Sequence, residues 1–472
     1  MPESVAWLIN TAGARATAAA GDNNAVCGSD VHNLVQVSDL LRHDSLVYRG
    51  HYIWRSLPVR YMWFNLGMGS SSGFEWPLTL DVQALVADGW RPYPFREFIV
   101  KVHSRCDLAC DYCYMYEMAD QSWRDRPRRM PDEIARCTAS RIGEHARAHG
   151  LTTITLVLHG GEPLLAGREL ISDLIRATRK AAGPRVTVDA KIQTNAVGLD
   201  EDYLRLFDEL DIHVGVSMDG AAEAHDRHRR FRSGRGSFAA VSASVRRLTQ
   251  ERFRHLFSGI LCTIDLHNDP IATYESLTAF GPPKIDFLLP HGTWENPPPG
   301  RMPGAADTPY ADWLIAVFDH WYPSPATRVR LFEDVMHLIL GGVSSAEAVG
   351  LAPSRMVVVE TDGAIEQVDT LKAAYAGAAQ TGLHVTTDAF DAAMLLPGVL
   401  ARQLGMRALA ATCRTCRVRQ VCGGGQYAHR YRPSTGFANP SVYCPDLMRL
   451  IDHICHTMQT DIDARLRRPG NG

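Results

Sequence analysis

Three cysteines in the pattern C-x3-C-x2-C, Cys106, Cys110 and Cys113, are the residues of this 472-residue chain whose types and spacing point most directly to chemistry. Three thiolates on one short loop suit three irons of a cubane iron–sulfur cluster and leave the fourth iron open to a small molecule. The alternative is a structural zinc, which draws four protein ligands, usually from paired Cys-x2-4-Cys arms. A second group, Cys413-x2-Cys416-x5-Cys422 with Cys444 further on, offers four thiols, enough for a complete cluster or for a closed tetrahedral zinc. Of the eleven cysteines, Cys27, Cys137, Cys262 and Cys455 have no partner at ligand spacing and are expected to be bystanders. Between the two groups, in chain order, lie Gly160-Gly161-Glu162-Pro163, Gln193-Thr194-Asn195, Ser217 with Asp219-Gly220, and His225-Asp226 with Arg229. Taken singly, Gly160–Pro163 reads as a turn and Ser217 as the end of a strand. His145 and His149 imitate a zinc-protease pair, but Ala146 stands where that motif needs glutamate, so both are expected at the surface.

These residues need elements to position them. Apolar runs rich in β-branched residues predict strands at Arg96–Ser104, Thr153–His159, Val186–Thr194, Ile212–Met218, Leu256–Ile264 and Ile285–Pro290. Helical periodicity falls between them at Asp132–His149, Gly167–Ala182, Glu201–Glu209, Ser237–Glu251 and Pro270–Phe280. Such alternation favours a parallel sheet, open or partly closed, with the chemistry in loops at the strand ends. The segment HDRHRRFRSGRG (His225–Gly236) reads on its own as a basic loop. Beyond Pro297-Pro298-Pro299, helices are expected at Thr308–His320 and Val329–Leu340, then a hairpin turning at Asp362-Gly363, and a final helix at Pro445–Arg467.

Composition narrows the class. With 49 basic against 52 acidic residues the chain is no dedicated nucleic-acid binder, and no apolar run reaches the roughly 18 residues of a membrane span. The start, MPESVAWLIN, lacks the basic and apolar regions of a secretory signal, and clustered cysteines suit a reducing cytoplasm. Residues 1–75 read as a poorly defined extension, disordered or translated from an over-extended start, with a flexible stretch at Gly67–Gly73.

The string CDLACDYCYMYE (Cys106–Glu117), with Tyr112 just before the third cysteine, resembles the signature of the radical S-adenosylmethionine (SAM) superfamily. The resemblance implies a partial (β/α)6 barrel over 76–300. It also implies a 4Fe–4S cluster on Cys106, Cys110 and Cys113 whose open iron chelates SAM, and reductive cleavage of SAM to a 5′-deoxyadenosyl radical. Carried over residue by residue, it assigns SAM contacts to Tyr112, Gly161, Glu162, Gln193, Asn195, Ser217, Arg229 and Leu261, the last packing on adenine.

The second cysteine group resembles the C-terminal half of a SPASM domain, implying a small cysteine-rich unit over 356–472 behind a helical bridge at 301–355. That family's pattern has two more cysteines, at positions held here by Gln426 and Val368. Both belong to the first auxiliary cluster. The resemblance therefore implies one auxiliary 4Fe–4S cluster on Cys413, Cys416, Cys422 and Cys444, with zinc as the alternative. In related anaerobic sulfatase-maturating enzymes the aspartate beside one of those missing cysteines accepts a proton. That role falls to Asp369, against the alternative of a hairpin-capping carboxylate.

The strings Trp90–Pro127, His225–Phe238 and Cys422–Leu447 are similar to the FxsB-type radical SAM/SPASM peptide maturases. The likeness implies a ribosomally made precursor peptide as substrate, a crosslink from an aromatic ring carbon to a Cβ (a cyclophane), and an external electron donor such as flavodoxin or ferredoxin. Thioether or formylglycine formation, or a non-catalytic metal-stabilised peptide-binding protein, are the alternatives.

Overall fold

The computed structural model describes residues 75–302, 304–344 and 347–466. The expectations for residues 1–74, Cys27 among them, lie outside the described residues. Six strands follow one another: β1 (Glu97–His103), β2 (Thr153–Gly160), β3 (Thr187–Thr194), β4 (Ile212–Ser217), β5 (Phe257–Thr263) and β6 (Lys284–Leu288). Each pairs in parallel with the next, forming the partial barrel. The crossovers carry α1 (Asp132–Ala148), α2 (Arg168–Ala182), α3 (Glu201–Glu209), α4 (Ala222–His228), α5 (Phe238–Leu248) and α6 (Pro270–Thr278).

The sequence explains these elements locally. In β2 and β3 every second residue is buried, Ile154, Leu156 and Leu158 and then Val188, Ala190 and Ile192, and these face the helices in the main core. The alternate positions, Val157, His159, Lys191 and Gln193 among them, are half-buried on the inner face. Asp200 and Asp269 cap α3 and α6 by accepting from the amides of Tyr203 and Ala272, each at 2.8 Å, and Pro270 occupies the first turn of α6. The α1–α2 contact depends on Gly143, where a Cβ would stand 2.4 Å from the Ala181 carbonyl oxygen.

After β6 the chain forms α7 (Pro309–Trp321), β7 (Arg328–Val329), α8 (Arg330–Ile339), β8 (Met356–Val359), β9 (Ala364–Glu366) and β10 (Gln380–His384). A run of short helical turns then leads to α9 (Cys444–Leu466). The expected hairpin is β8–β9, with Gly363 at φ 96° in its turn. It is not separate from the barrel: β8 pairs in parallel with β1, and the ten strands form one sheet in the order β10-β9-β8-β1-β2-β3-β4-β5-β6-β7.

Three expectations need correction. His145 is buried, because the apolar stripe of α1 turns it inward against Phe95, Phe98 and Phe390. The basic segment is a loop only in part: its start completes α4 and buries His225. Cys455 is disulfide-bonded rather than a bystander, whereas Cys137 and Cys262 are free thiols.

Candidate functional site

Cys106, Cys110 and Cys113 stand on the loop that leaves β1, all free and partly exposed. The loop is pinned from several sides. The Ala109 amide donates to the Arg230 carbonyl at 2.8 Å, the Cys113 carbonyl accepts from Tyr116 and Glu117, and the Glu162 amide donates to the Arg105 carbonyl at 3.0 Å. Gly161 must be glycine here, since a Cβ would meet the Arg105 backbone at 2.5 Å.

Glu162 is fully buried. One oxygen accepts from the Leu164 amide (3.0 Å) and the Thr194 hydroxyl (2.7 Å), the other from the Asn195 amide alone (2.8 Å). Burial outweighs those donors and pushes its carboxyl up to about 7. The Asn195 side-chain amide donates to Asp107 at 2.7 Å and lies 3.6 Å from the Cys106 sulfur. Gln193 donates to the Ser217 hydroxyl at 3.0 Å, and Gly215, its neighbour in register, leaves room for its side chain. Ser217 is in register with Leu261, half-buried on the same inner face. Arg229 donates through Nε to Asp219 at 2.9 Å and sits over the Tyr112 ring. Tyr112 also donates to Asp219, whose other oxygen accepts from the Thr263 amide. All the sequence-predicted residues of this group thus gather at the ends of β1–β5.

Asp369 does not cap the hairpin; Asp362 does, accepting from the Ala364 amide at 3.0 Å. Asp369 is buried instead 3.2 Å from Lys101 Nζ and 4.0 Å from His159 Nδ1, and takes a hydrogen bond from the Tyr114 phenol, next to Cys113. Burial works against its charge, but Lys101, His159 and Lys372 hold the carboxyl well below its usual range. Lys101 and Lys372 share Glu360, and Arg126 and Lys372 share Glu366, so a buried ion cluster joins β1 to the hairpin. Lys101 went unnoticed in the sequence, although a lysine in a Val/Ile strand was a signal; its neighbour in register is His159.

In the second group, Cys413, Cys416, Cys422 and Cys444 are also free and partly exposed. Cys444, at the start of α9, lies close enough to feel the charge of Cys413 and Cys416, and Cys422 that of Cys413 and Cys444. Buried Arg430 donates to the carbonyls of Gly423 (2.8 Å) and Gly425 (2.6 Å) and favours the thiolates of Cys413 and Cys422. Val368 lies in a second hydrophobic cluster with Leu371, Tyr427 and Phe437.

The spread of the thiols bears on the ligand. Zinc held by thiolates at about 2.3 Å brings its sulfurs about 3.8 Å apart. Among the described residues only His145, His149 and Asp391 bring three ligand atoms all within 4.8 Å of one another. Neither cysteine group is that tight, which suits an iron–sulfur cluster better than a single zinc.

Residues 100–275 match the Radical SAM superfamily. The chain carries a radical SAM domain. It is accordingly a radical SAM enzyme whose cofactors are SAM and 4Fe–4S clusters, and the partly exposed thiols with the polar groups around Glu162 and Arg229 fit them. The serine-type anaerobic sulfatase-maturating enzyme of Klebsiella aerogenes is 26% identical over 355 residues, 73% of this chain and 82% of that protein. The cysteine-type enzyme of Clostridium novyi (strain NT) is 24% identical over 271 residues, 56% of this chain and 71% of that one. Among solved structures, native anSMEcpe with bound AdoMet and Cp18Cys peptide aligns with a TM-score of 0.65 at 21% identity, covering 79% of this chain and 100% of that one. Streptococcus suis SuiB bound to precursor peptide SuiA aligns with a TM-score of 0.51 at 12% identity, covering 77% and 78%. These two share the fold of the radical SAM chain. No helix among the described residues is long and apolar enough to cross a membrane.

Proposed function

We propose that this radical SAM enzyme acts on a ribosomally synthesised precursor peptide and closes a cyclophane, bonding an aromatic ring carbon to the Cβ of a nearby residue. The observation that carries the reading is Asp369, a buried carboxylate bonded to the residue that follows Cys113. The likeness to FxsB-type maturases supports the crosslink. Relatives named as sulfatase-maturating enzymes, and a fold shared with peptide-bound structures, support a peptide substrate.

Bound at Cys106, Cys110 and Cys113, the cluster and SAM supply a 5′-deoxyadenosyl radical. The chain's own residues position the reactants. The less occupied oxygen of Glu162 suits the SAM ammonium, and the Nη groups of Arg229 suit its carboxylate. Gln193 and Ser217 would hold the ribose and Leu261 would offer an apolar wall to adenine, while Asn195 holds the loop at Cys106 and Tyr112 braces Arg229 through Asp219.

Crosslinking removes one hydrogen atom from Cβ; after the ring bond forms, one electron and one proton leave to restore aromaticity. That proton is strongly acidic once the electron has gone, so a carboxylate held as low as Asp369 suffices to accept it. Cys413, Cys416, Cys422 and Cys444 would hold the cluster that takes the electron, beside the Arg430 cation. A flavodoxin or ferredoxin would supply the reducing electron, and the cytoplasm is the compartment.

Coexpression with a candidate precursor peptide tests the reading. The peptide should lose two hydrogens, carry no aldehyde that a hydrazide captures, and show a fragmentation gap spanning the linked residues. An aldehyde would establish formylglycine formation instead. Asp369→Asn should cleave SAM normally while crosslinking falls at least tenfold; unchanged crosslinking would remove Asp369 from the base role.

A further inference from the structure

His145 and His149 are four residues apart at the end of α1, their ring centroids 4.4 Å apart. They face Asp391, in the short helix Phe390–Met394 that follows β10. Nδ1 of His145 lies 2.7 Å from one Asp391 oxygen, and Nε2 of His149 lies 3.0 and 3.1 Å from the two. The three ligand atoms all fall within 4.8 Å of one another. The cluster sits at the opposite end of β1 from the Cys106 loop, since His145 packs on Phe95 and Phe98.

We propose that His145, His149 and Asp391 bind a zinc ion, which ties α1 of the barrel to the segment that follows the β8–β10 strands. Histidines one helical turn apart present two imidazole nitrogens to one point, and a carboxylate completes a hard–borderline set that suits zinc. The burial of His145 argues in the same direction. Its side chain is 1% exposed, and its Nε2 has no hydrogen-bond partner in the aromatic pocket. An apolar side chain would fill that pocket without the penalty of an unpaired nitrogen, so the histidine serves through its Nδ1. Asp391 is the exposed member of the three, its side chain 43% exposed.

Zinc bonds of about 2.0–2.1 Å place tetrahedral ligand atoms about 3.3 Å apart. The present spacing is therefore that of two N–H donors on a shared carboxylate. Entry of the ion moves Asp391 outward by about half an ångström, and each histidine binds it as neutral imidazole with the ring proton on the other nitrogen, Nε2 of His145 and Nδ1 of His149. A water would complete the fourth position. No electron changes hands.

The test uses the iron–sulfur holoenzyme, purified without oxygen from cells grown with added zinc and desalted, with zinc and iron measured per chain. A single zinc per chain is expected in the wild type, absent in His149→Ala and Asp391→Asn, with iron and SAM cleavage unchanged in both. Zinc-edge X-ray absorption should show nitrogen and oxygen neighbours only. Sulfur neighbours would put the zinc on the cysteines and overturn the proposal, as would a zinc-free wild type after incubation with zinc chloride. Zinc retained by both variants would overturn it equally. Because Asp391 is exposed, its variant keeps the test open should His149→Ala fail to fold.

Discussion

Around Cys106, Cys110 and Cys113 the supporting side chains arrive one strand end at a time: Glu162 after β2, Gln193 to Asn195 at the end of β3, Ser217 from β4, Leu261 on β5. Around Cys413, Cys416, Cys422 and Cys444 no strand contributes. Short helical turns, three consecutive left-handed glycines (Gly423, Gly424 and Gly425) and the buried Arg430 form the setting, and the carbonyls of Gly423 and Gly425 do the bonding. A parallel sheet sets polar groups side by side in the order the chain lists them. A nest of turns needs backbone freedom and one long cation to gather its carbonyls.

If the two sites are as separable as this contrast suggests, the largest effect lies in the cysteines. Replacing Cys110 and Cys113 with alanine should abolish SAM cleavage and lower iron from about eight to about four per chain. Replacing Cys416 and Cys444 should remove as much iron yet leave SAM cleavage measurable. Loss of cleavage in both would break the comparison. A smaller effect separates the two supporting cations. Lys101→Met leaves Glu360 and Asp369 short of a buried partner and should lower stability by about 3–5 kcal/mol in chemical denaturation. Arg430→Leu frees two carbonyls beside flexible glycines and should lower it by about 1–3 kcal/mol.

A further effect, of similar size, depends on pH. Buried His225 accepts through Nδ1 from the Asp219 amide and pairs with the Ser237 hydroxyl. Burial brings its pKa down to about 4 from 6.5. The unfolded chain therefore takes up the proton first, so the stability is complete above pH 6.5 and is lost as pH falls toward 4. The share due to His225 is about 3 kcal/mol at most. His225→Gln should flatten the fall in melting temperature between pH 7 and pH 5; an unchanged slope would assign the acid sensitivity elsewhere, with His291 as the next buried imidazole.

What the sequence made legible follows from the same contrast. Helix α3 has the bounds its periodicity predicts, Glu201–Glu209, because Asp200 caps it and its apolar face is regular. The residues at the β1–β5 ends were readable because strand, loop and helix recur there in order. The pairing of β8 with β1 was not, since no local pattern links Glu97 to Met356 across the intervening chain. Likewise the burial of Lys101 depends on Glu360, Lys372 and Asp369 arriving from the far end of the sequence. His145 was misplaced because motif logic asked only whether it completes a protease site, while the stripe of Ala135, Ala139, Ile142 and Ala146 had already turned that face inward.

The buried ion cluster also bears on the enzyme between one turnover and the next. A carboxylate flanked by Lys101 and held so strongly ionised favours its charged form. His159 stands 4.0 Å away, its Nδ1 without a hydrogen bond and its own proton affinity lowered by burial. On the proposed reading the site would therefore reset itself, since a proton taken by Asp369 would be driven off by the cations around it.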